Sequence, residues 1–509
     1  MNDGFWHKAW QFALLFAVIA LMAASIAVQG GDLSPADVRE IIAEQGLTPG
    51  DGNAWPADQS IRPTLTPVAQ LAAAPGDEVH VAYAPQVPAP ITRSDQRIIE
   101  VHLESIEGAC PLDPAGGVST EMWGFRVAGD TEVTCGSPGP VLRGRVGDVV
   151  RISLTNAAGN ANPHNIDFHA VTGMGGGAAA LTVNPGETAT IQVRLLYPGA
   201  FMYHCAYGDV PVHIAHGMYG MFIVDPETPL PAVDHEWAMM QSEWYVGEPG
   251  PDGVALFDRD SLLAEEPRFV TFNGRTDALS GENTLAMSVG DRVRIYFVNQ
   301  GLNLDSNFHP IGSHWDSVYP EGATHQANRI IRGSQSTLVV AGGGTVVEID
   351  GLVPSTIILV DHALVRTFYK GAIGTIVVDG PEDHELFAVI QPGGGDDGGN
   401  GTTSTTVAAG TEVVISAGAY LPENADEAYS PLEITVPVGT TVRWVNEDAT
   451  AHTVTSGESD GTVGSPDGRF DSGFLNPGDS FSFTFEEAGV FPYFCLPHPW
   501  MEGVVTVSG

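Results

Sequence analysis

Positive charge is the scarcest commodity in this sequence. Its 509 residues hold 21 Lys and Arg against 62 Asp and Glu, a formal net charge of −41. Nucleic acid and anionic lipid both bind through cationic patches, so the composition argues against either as a partner. An acid excess of this size keeps a chain soluble at high salt and fits a saline habitat. Cysteine is scarce too: Cys110, Cys135, Cys205 and Cys495 are the whole complement. Long apolar runs are limited to FALLFAVIALMAASIAV at 12–28, preceded by His7 and Lys8 and followed by Asp32, Asp37 and Glu40. Its length lies between those of an export signal and a single membrane anchor. Ser25-Ile26-Ala27 offers only a weak cleavage site. The basic flank is expected to stay in the cytoplasm, which places the rest outside, periplasmic or otherwise extracytoplasmic. There, four cysteines read first as two disulfides.

Glycine and proline are plentiful, 61 and 36, which favours short strands and turns over long helices. The length suits about three domains, and the chain repeats itself that many times. VGDVVRISLTN starts at Val146, VGDRVRIYFVN at Val289 and VGTTVRWVN at Val438. Each is a glycine turn leading into an alternating, β-branched strand, and each is followed by a histidine: His164, His309, His452. TATIQVRLLYPGAFMYHC (188–205) matches DSFSFTFEEAGVFPYFC (479–495), whereas the middle unit has Asp361-His362 in place of the cysteine. The expected architecture is all-β: three tandem Greek-key sandwiches at 96–228, 229–385 and 411–509, arisen by duplication. An N-terminal hydrophobic helix precedes them (1–30), then an extended spacer (31–95), and a Gly/Thr-rich linker spans 386–410.

The third unit shows the chemistry most simply. His452, Cys495, His498 and Met501 form H…C-x2-H-x2-M. Two imidazoles, a thiolate and a weak thioether make a blue-copper electron-transfer site, because this set suits both oxidation states of copper. This unit resembles small blue copper proteins of the cupredoxin family, with an amicyanin-like short ligand loop. The first unit carries His164, Cys205, His213 and Met218 with a wider loop. His216 is an alternative to His213. His204 adjoins Cys205, and consecutive strand residues face opposite sides. His204 therefore points at a different metal from Cys205. His169 and the repeat-matched His362 are its candidate co-ligands, since three histidines with an open position suit a catalytic centre.

HNIDFH (164–169), YHCA…VHIAHGMYG (203–220), NLDSNFHPIG (303–312) and LVDHALVRTFYKGAIG (359–374) resemble copper-containing nitrite reductases, especially the Neisseria subgroup. APQVPAPITR (84–93) and EEPRFVTFNG (265–274) fit as well. The resemblance covers roughly 84–385. It implies a homotrimer with two type 1 and one type 2 copper per chain once the C-terminal unit is counted. By resemblance, His164, Cys205, His213 and Met218 hold type 1 copper, and His169 and His204 hold type 2 copper, with His362 from a neighbouring subunit. Asp167 and His309 form the acid–base pair. The expected reaction is reduction of nitrite to nitric oxide, which takes one electron and two protons.

Two features depart from the family. The C-terminal cupredoxin is an addition, read as a tethered electron donor whose linker raises its effective concentration; an external small cupredoxin or cytochrome c would feed it. The insert at 109–135 carries Cys110 and Cys135, expected to form a disulfide clamping an exposed loop. Three other readings compete with this one. A multicopper oxidase needs several His-x-His pairs, and none occurs at these positions. A non-catalytic electron-transfer protein leaves His169, His204, His362, Asp167 and His309 idle. A third rival keeps the metals but changes the substrate, for example to hydroxylamine.

Overall fold

The computed structural model describes residues 62–388, 411–448, 450–459, 461, 464–475 and 478–509. The hydrophobic segment at 12–28, the first half of the spacer and most of the linker lie outside these residues. Among the described residues the chain is built from β-sandwiches, each closing on its own apolar core.

In the first sandwich, Ile98–Asp113 lies between Val118–Val127 and Val149–Asn156, and Thr188–Arg194 completes that sheet. The facing sheet orders Val81–Ala82, Val141–Arg145, Tyr219–Asp225, Gly199–His204 and Asp167–Phe168. In the second sandwich Arg292–Asn299 and Gly344–Asp350 lie side by side in one sheet, and Ser306–Ile311 and Ser355–Asp361 pair in the other. The third repeats the plan with Thr440–Asn446 against Ser480–Phe485, and Gly489–Phe494 against Glu502–Ser508. Among the described residues three short α-helices interrupt the strands: α1 (Val210–Ala215), α2 (Arg259–Ala264) and α3 (Leu364–Lys370).

The repeated sequence motif has a physical basis at both ends. Gly147, Gly290 and Gly439 open the motif with φ of 86°, 97° and 83°, the left-handed region that glycine enters without a Cβ penalty. The motif closes on a buried asparagine. Asn156 Nδ2 donates to Asn162 O and Val183 O, Asn299 Nδ2 to Leu304 O and Val339 O, and Asn446 Nδ2 to Thr450 O and Leu475 O. Each amide pins the loop that carries the following histidine. Thr–Thr and Ser–Thr pairs sit at matching cross-strand positions, Thr155–Thr188 and Ser153–Thr190 in the first unit and Thr441–Thr484 in the third.

Two expectations change. Residues 62–95 are extended, but they lie on the first sandwich and do not stand off as a free spacer. Val81–Ala82 pairs with Val141–Leu142, Ile91 is buried, and Arg93 forks onto Asp148 at 2.8 and 2.7 Å. Bidentate charge-assisted bonds of this kind fix a segment that apolar contact alone would hold loosely. The 109–135 insert is no exposed loop either. It is a long hairpin whose Cys110, Leu112, Val118 and Met122 pack against Trp244, Val246 and Ala255 of the second sandwich. Ser119 N donates to Gly253 O, Ala255 N to Ser119 O and Thr120 Oγ1 to Ala255 O. Cys110 and Cys135 are joined by a disulfide.

The first two sandwiches share a buried seam of apolar residues that includes Met221, Ile223, Met240 and Tyr296. Arg143 of the first sandwich reaches through it to Asp225 and Glu236. Breaking such a buried pair from one side leaves an uncompensated charge, so the seam holds its two halves in one register.

Candidate metal centres

The first centre is assembled by the end of one strand and the return loop behind it. Gly199–His204 delivers Cys205 into the core; α1, with Pro211 in its first turn, carries His213; Met218 precedes the next strand. Cys205 N donates to Met218 O and Met218 N to His213 O, which folds the loop onto itself. His164 arrives from the opposite side. Cys205 Sγ stands 3.9 Å from His164 Nδ1 and 3.3 Å from His213 Nδ1. Met218 is buried in the same core as Cys205. His164 Nε2–H donates to Glu107 Oε1 at 2.8 Å, which leaves Nδ1 as the lone-pair nitrogen facing sulfur.

The C-terminal centre repeats these relations. Cys495 Sγ lies 3.6 Å from His452 Nδ1 and 3.4 Å from His498 Nδ1, and the two Nδ1 atoms are 3.1 Å apart. His452 Nε2–H donates to Asp448 Oδ2 at 2.7 Å. Met501 is buried with Cys495. The residue after the first histidine braces the cysteine in both centres: Asn165 Oδ1 accepts from Ala206 N, Thr453 Oγ1 accepts from Leu496 N, and Thr453 N points at Cys495 Sγ from 3.2 Å.

Burial sets the proton affinities. It pushes the Cys205 thiol up to about 11 and the Cys495 thiol to about 12. Burial, then the neighbouring imidazoles, push His213 down to about 4; burial, then His452, pushes His498 down to about 3. His213 and His498 are therefore neutral near pH 7, as ligands must be. The thiols need a cation between sulfur and nitrogens before they ionise, because an isolated buried charge is costly. One sulfur and two imidazole nitrogens converging on a closed apolar pocket beside a methionine is a donor set that fits copper.

A different cluster lies across the strand from the first centre. His204 precedes Cys205 and points to the other face, where Asp167, its cross-strand partner, and His169 meet it. His169 Nε2 and His204 Nε2 are 3.2 Å apart. His204 Nδ1–H donates to Cys205 O at 3.0 Å, so its Nε2 is the free acceptor. Two convergent imidazoles with a nearby carboxylate fit a copper ion with open positions. His362 is not in this cluster. It sits exposed at the end of Ser355–Asp361, with His309 beside it at 5.0 Å between ring centroids. His309 Nδ1–H donates to Gln335 O. The chain thus carries two half-sets, Asp167/His169/His204 and His309/His362. His216 is outside all of them: it stacks on Trp123 at 4.0 Å and 10°, and its Nδ1–H donates to Val212 O.

Several supporting residues have no signal in local spacing. Glu107 lies 57 residues before His164 on another strand. Trp123 meets the His213 ring edge-on at 5.0 Å. The asparagines that end the repeated motif were visible in the alignment of the three units, where they recur at one position.

Comparison with known proteins agrees with this chemistry. Residues 419–508 match the family of copper binding proteins, plastocyanin/azurin family, and residues 112–228 match the multicopper oxidase family. A copper-containing nitrite reductase of Neisseria meningitidis serogroup A is 42% identical over 305 residues, 60% of this chain and 75% of that protein. One from Pseudomonas chlororaphis is 33% identical over 274 residues, 50% of this chain and 74% of that protein. A solved copper nitrite reductase from Nitrosomonas europaea aligns at 32% identity over 57% of this chain and 96% of that one, with a TM-score of 0.49. The multicopper oxidase family model spans only residues 112–228, whereas the Neisseria meningitidis protein aligns over 305 residues. With cysteine–histidine centres of copper-binding chemistry and this extent of identity, the chain belongs to the copper-containing nitrite reductases.

Proposed function

We propose that the chain reduces nitrite to nitric oxide, using two type 1 centres and one type 2 centre. The observation that carries this reading is the His204–Cys205 peptide. Adjacent residues of one strand serve donor sets on opposite faces, so the two sets are joined by the shortest covalent path a chain offers. Bound copper would supply one-electron exchange at the cysteine centres, and a Lewis-acidic seat for the nitrite oxygens at the histidine centre.

The residues divide the work. Glu107 and Asp448 hold His164 and His452 with Nδ1 turned to sulfur. His213, Met218, His498 and Met501 complete the two cysteine centres. His204 and His169 present Nε2 to the type 2 position, and His362 of a second copy completes it in a homotrimer. The exposure of His362 in one chain, with His309 travelling beside it, supports that arrangement. Converting nitrite to nitric oxide and water consumes two protons. Asp167 would deliver one from its carboxyl beside His204 and His169. His309 would deliver the other from Nε2, since its Nδ1–H is committed to Gln335 O. The C-terminal cupredoxin acts as a tethered donor fed by an external small cupredoxin or cytochrome c, and the whole works outside the cytoplasm.

The test is anaerobic nitrite turnover by the copper-loaded protein. Nitric oxide is expected from the native chain and only background from His362→Ala, with both thiolate–copper absorptions intact. Absence of nitric oxide from the native chain, with both absorptions present, would favour a different substrate or a pure electron-transfer role. Metal analysis should return three coppers per chain, and His362→Ala two.

A further inference from the structure

The C-terminal cupredoxin is not held like the other two sandwiches. No strand pairing links it to them among the described residues, and Thr450 and Ala451, just before its His452, line a cleft. One wall of that cleft is Phe269, Tyr369 and Lys370 of the second sandwich with Asp113 and Ala115 at the tip of the inserted hairpin. The other is Tyr420, Thr450 and Ala451 of the C-terminal unit. At its margin Trp500 meets Tyr369, with ring centroids 6.4 Å apart and planes at 38°.

Trp500 lies between His498 and Met501 in the metal-binding loop, and its ring is 5.3 Å from that of His498. Its Nε1–H donates to Ala419 O at 3.3 Å, which holds the indole in place. Tyr369 is on α3 and remains 54% exposed despite the contact. A small contact through one aromatic pair is what a transient redox encounter uses, whereas the Arg143 seam is a permanent interface.

Behind Tyr369 the packing is continuous. A Cβ placed on Gly371, at the end of α3, would stand 2.8 Å from Thr276 Cγ2 and 3.5 Å from Val270 O, so this end of α3 lies directly against the strand Phe269–Phe272 and the turn after it. Phe269 pairs in register with Trp244, and both belong to the cluster formed with the inserted hairpin. The far edge of the Trp244 ring would stand 3.0 Å from a Cβ placed on Gly217. Gly217 lies in the loop between His213 and Met218. Packed matter thus runs from the tip of one metal-binding loop to the back of the other.

We infer that Tyr369, with Phe269 and the hairpin tip Asp113–Ala115, forms the docking seat of the C-terminal cupredoxin, engaged through Trp500. The seat rests on the reading of that domain as a tethered donor and says where it sits while delivering. It also gives the inserted hairpin a purpose: its base packs on the second sandwich and its tip forms one side of the seat.

Lys370 makes the seat measurable. The sequence holds two lysines, Lys8 and Lys370, and the second lines the cleft with its Nζ–H donating to Pro267 O at 2.6 Å. Acylation of Lys370 in the full chain, read by peptide mass, reports whether the cleft is closed. Native protein should react slowly, and Tyr369→Glu several-fold faster. Backbone hydrogen exchange should rise together at 364–371 and 496–501, with the strand cores unchanged. Ala115→Arg, on the hairpin and outside α3, should do the same, which separates undocking from local damage to the helix. Equal Lys370 reactivity in all three proteins, or exchange that rises at 364–371 alone, would overturn the seat.

Electron delivery is read separately, by mixing the copper-loaded chain with a reduced protein donor. Relay that persists at the native rate in both undocked variants also overturns the seat and leaves the donor reading standing. Lys370 protection without relay retains the seat and defeats the donor reading.

Discussion

The two cysteine centres place the same atoms on different supports. In the C-terminal unit Cys495, His498 and Met501 fall within one short loop, and Asp448 stands four residues before the histidine it braces. In the first unit His213 rides on α1 in the longer loop after Cys205, and the bracing carboxylate comes from Glu107 on a distant strand. The neighbours differ in consequence. Phe494 precedes Cys495 and is buried in its own sandwich, whereas His204 precedes Cys205 and faces a second donor set. One centre is an endpoint made from local chain. The other is a junction made from tertiary structure, with Trp123 and His216 stacked over its loop. The same four residue types thus have different neighbours because of what the chain offers on its other face, and the proposed order of the two centres rests on that difference.

The sharpest way to break the comparison is to remove each sulfur. Cys205→Ser is expected to abolish nitrite turnover with every reductant and to delete one thiolate–copper absorption. Cys495→Ser should delete the other absorption yet keep turnover with a small chemical reductant, which bypasses the tethered domain. Equal loss from both would mean that the small reductant enters only through the C-terminal centre, and parallel spectroscopy and turnover would show it.

A smaller effect is expected from the bracing carboxylates. Glu107→Gln and Asp448→Asn should each weaken copper retention at their own centre by about 10–100-fold, the usual cost of losing a carboxylate behind a ligating histidine. Competition with a chelator, read at each absorption band, measures it. If Glu107→Gln instead unfolds the first sandwich, its bonds to Ala161 N and Asn162 N are the more important ones.

The least dramatic test is the pH dependence of the copper-free protein. His213 and His498 have folded values near 4 and 3, below the unfolded value of 6.5. Between these limits the unfolded chain binds more protons, so stability is full above about pH 6.5 and declines as pH falls towards 4. The loss is at most on the order of 3 kcal/mol at the first centre and about 5 kcal/mol at the C-terminal one, and the C-terminal unit should lose its share over the wider range. Thermal melting from pH 7 to pH 4 with His498→Gln as control checks this: the variant should lose part of the slope. A slope unchanged in that variant would assign the effect to carboxylates instead.

What the sequence determined by itself is whatever depends on short range or on repetition. Three copies of a glycine turn, an alternating strand and a following histidine specify repeated sandwiches, because a period-two pattern has one way to bury its apolar face. H…C-x2-H-x2-M is legible because three of its four members share one loop. The adjacency of His204 and Cys205 is legible because strand neighbours must diverge.

What only the tertiary structure decided depends on distant chain. Glu107 reaches His164 because Ile98–Asp113 runs beside Val149–Asn156, a pairing that no local spacing announces. The 109–135 insert looked like a loop because its glycines and prolines mask a hairpin whose partner is the second sandwich. His362 stands with His309, apart from His169 and His204, because strand pairing in the second sandwich places both on one edge. The seat for Trp500 is the furthest from the sequence, since it draws on three separate chain segments that only the packed fold brings to one cleft.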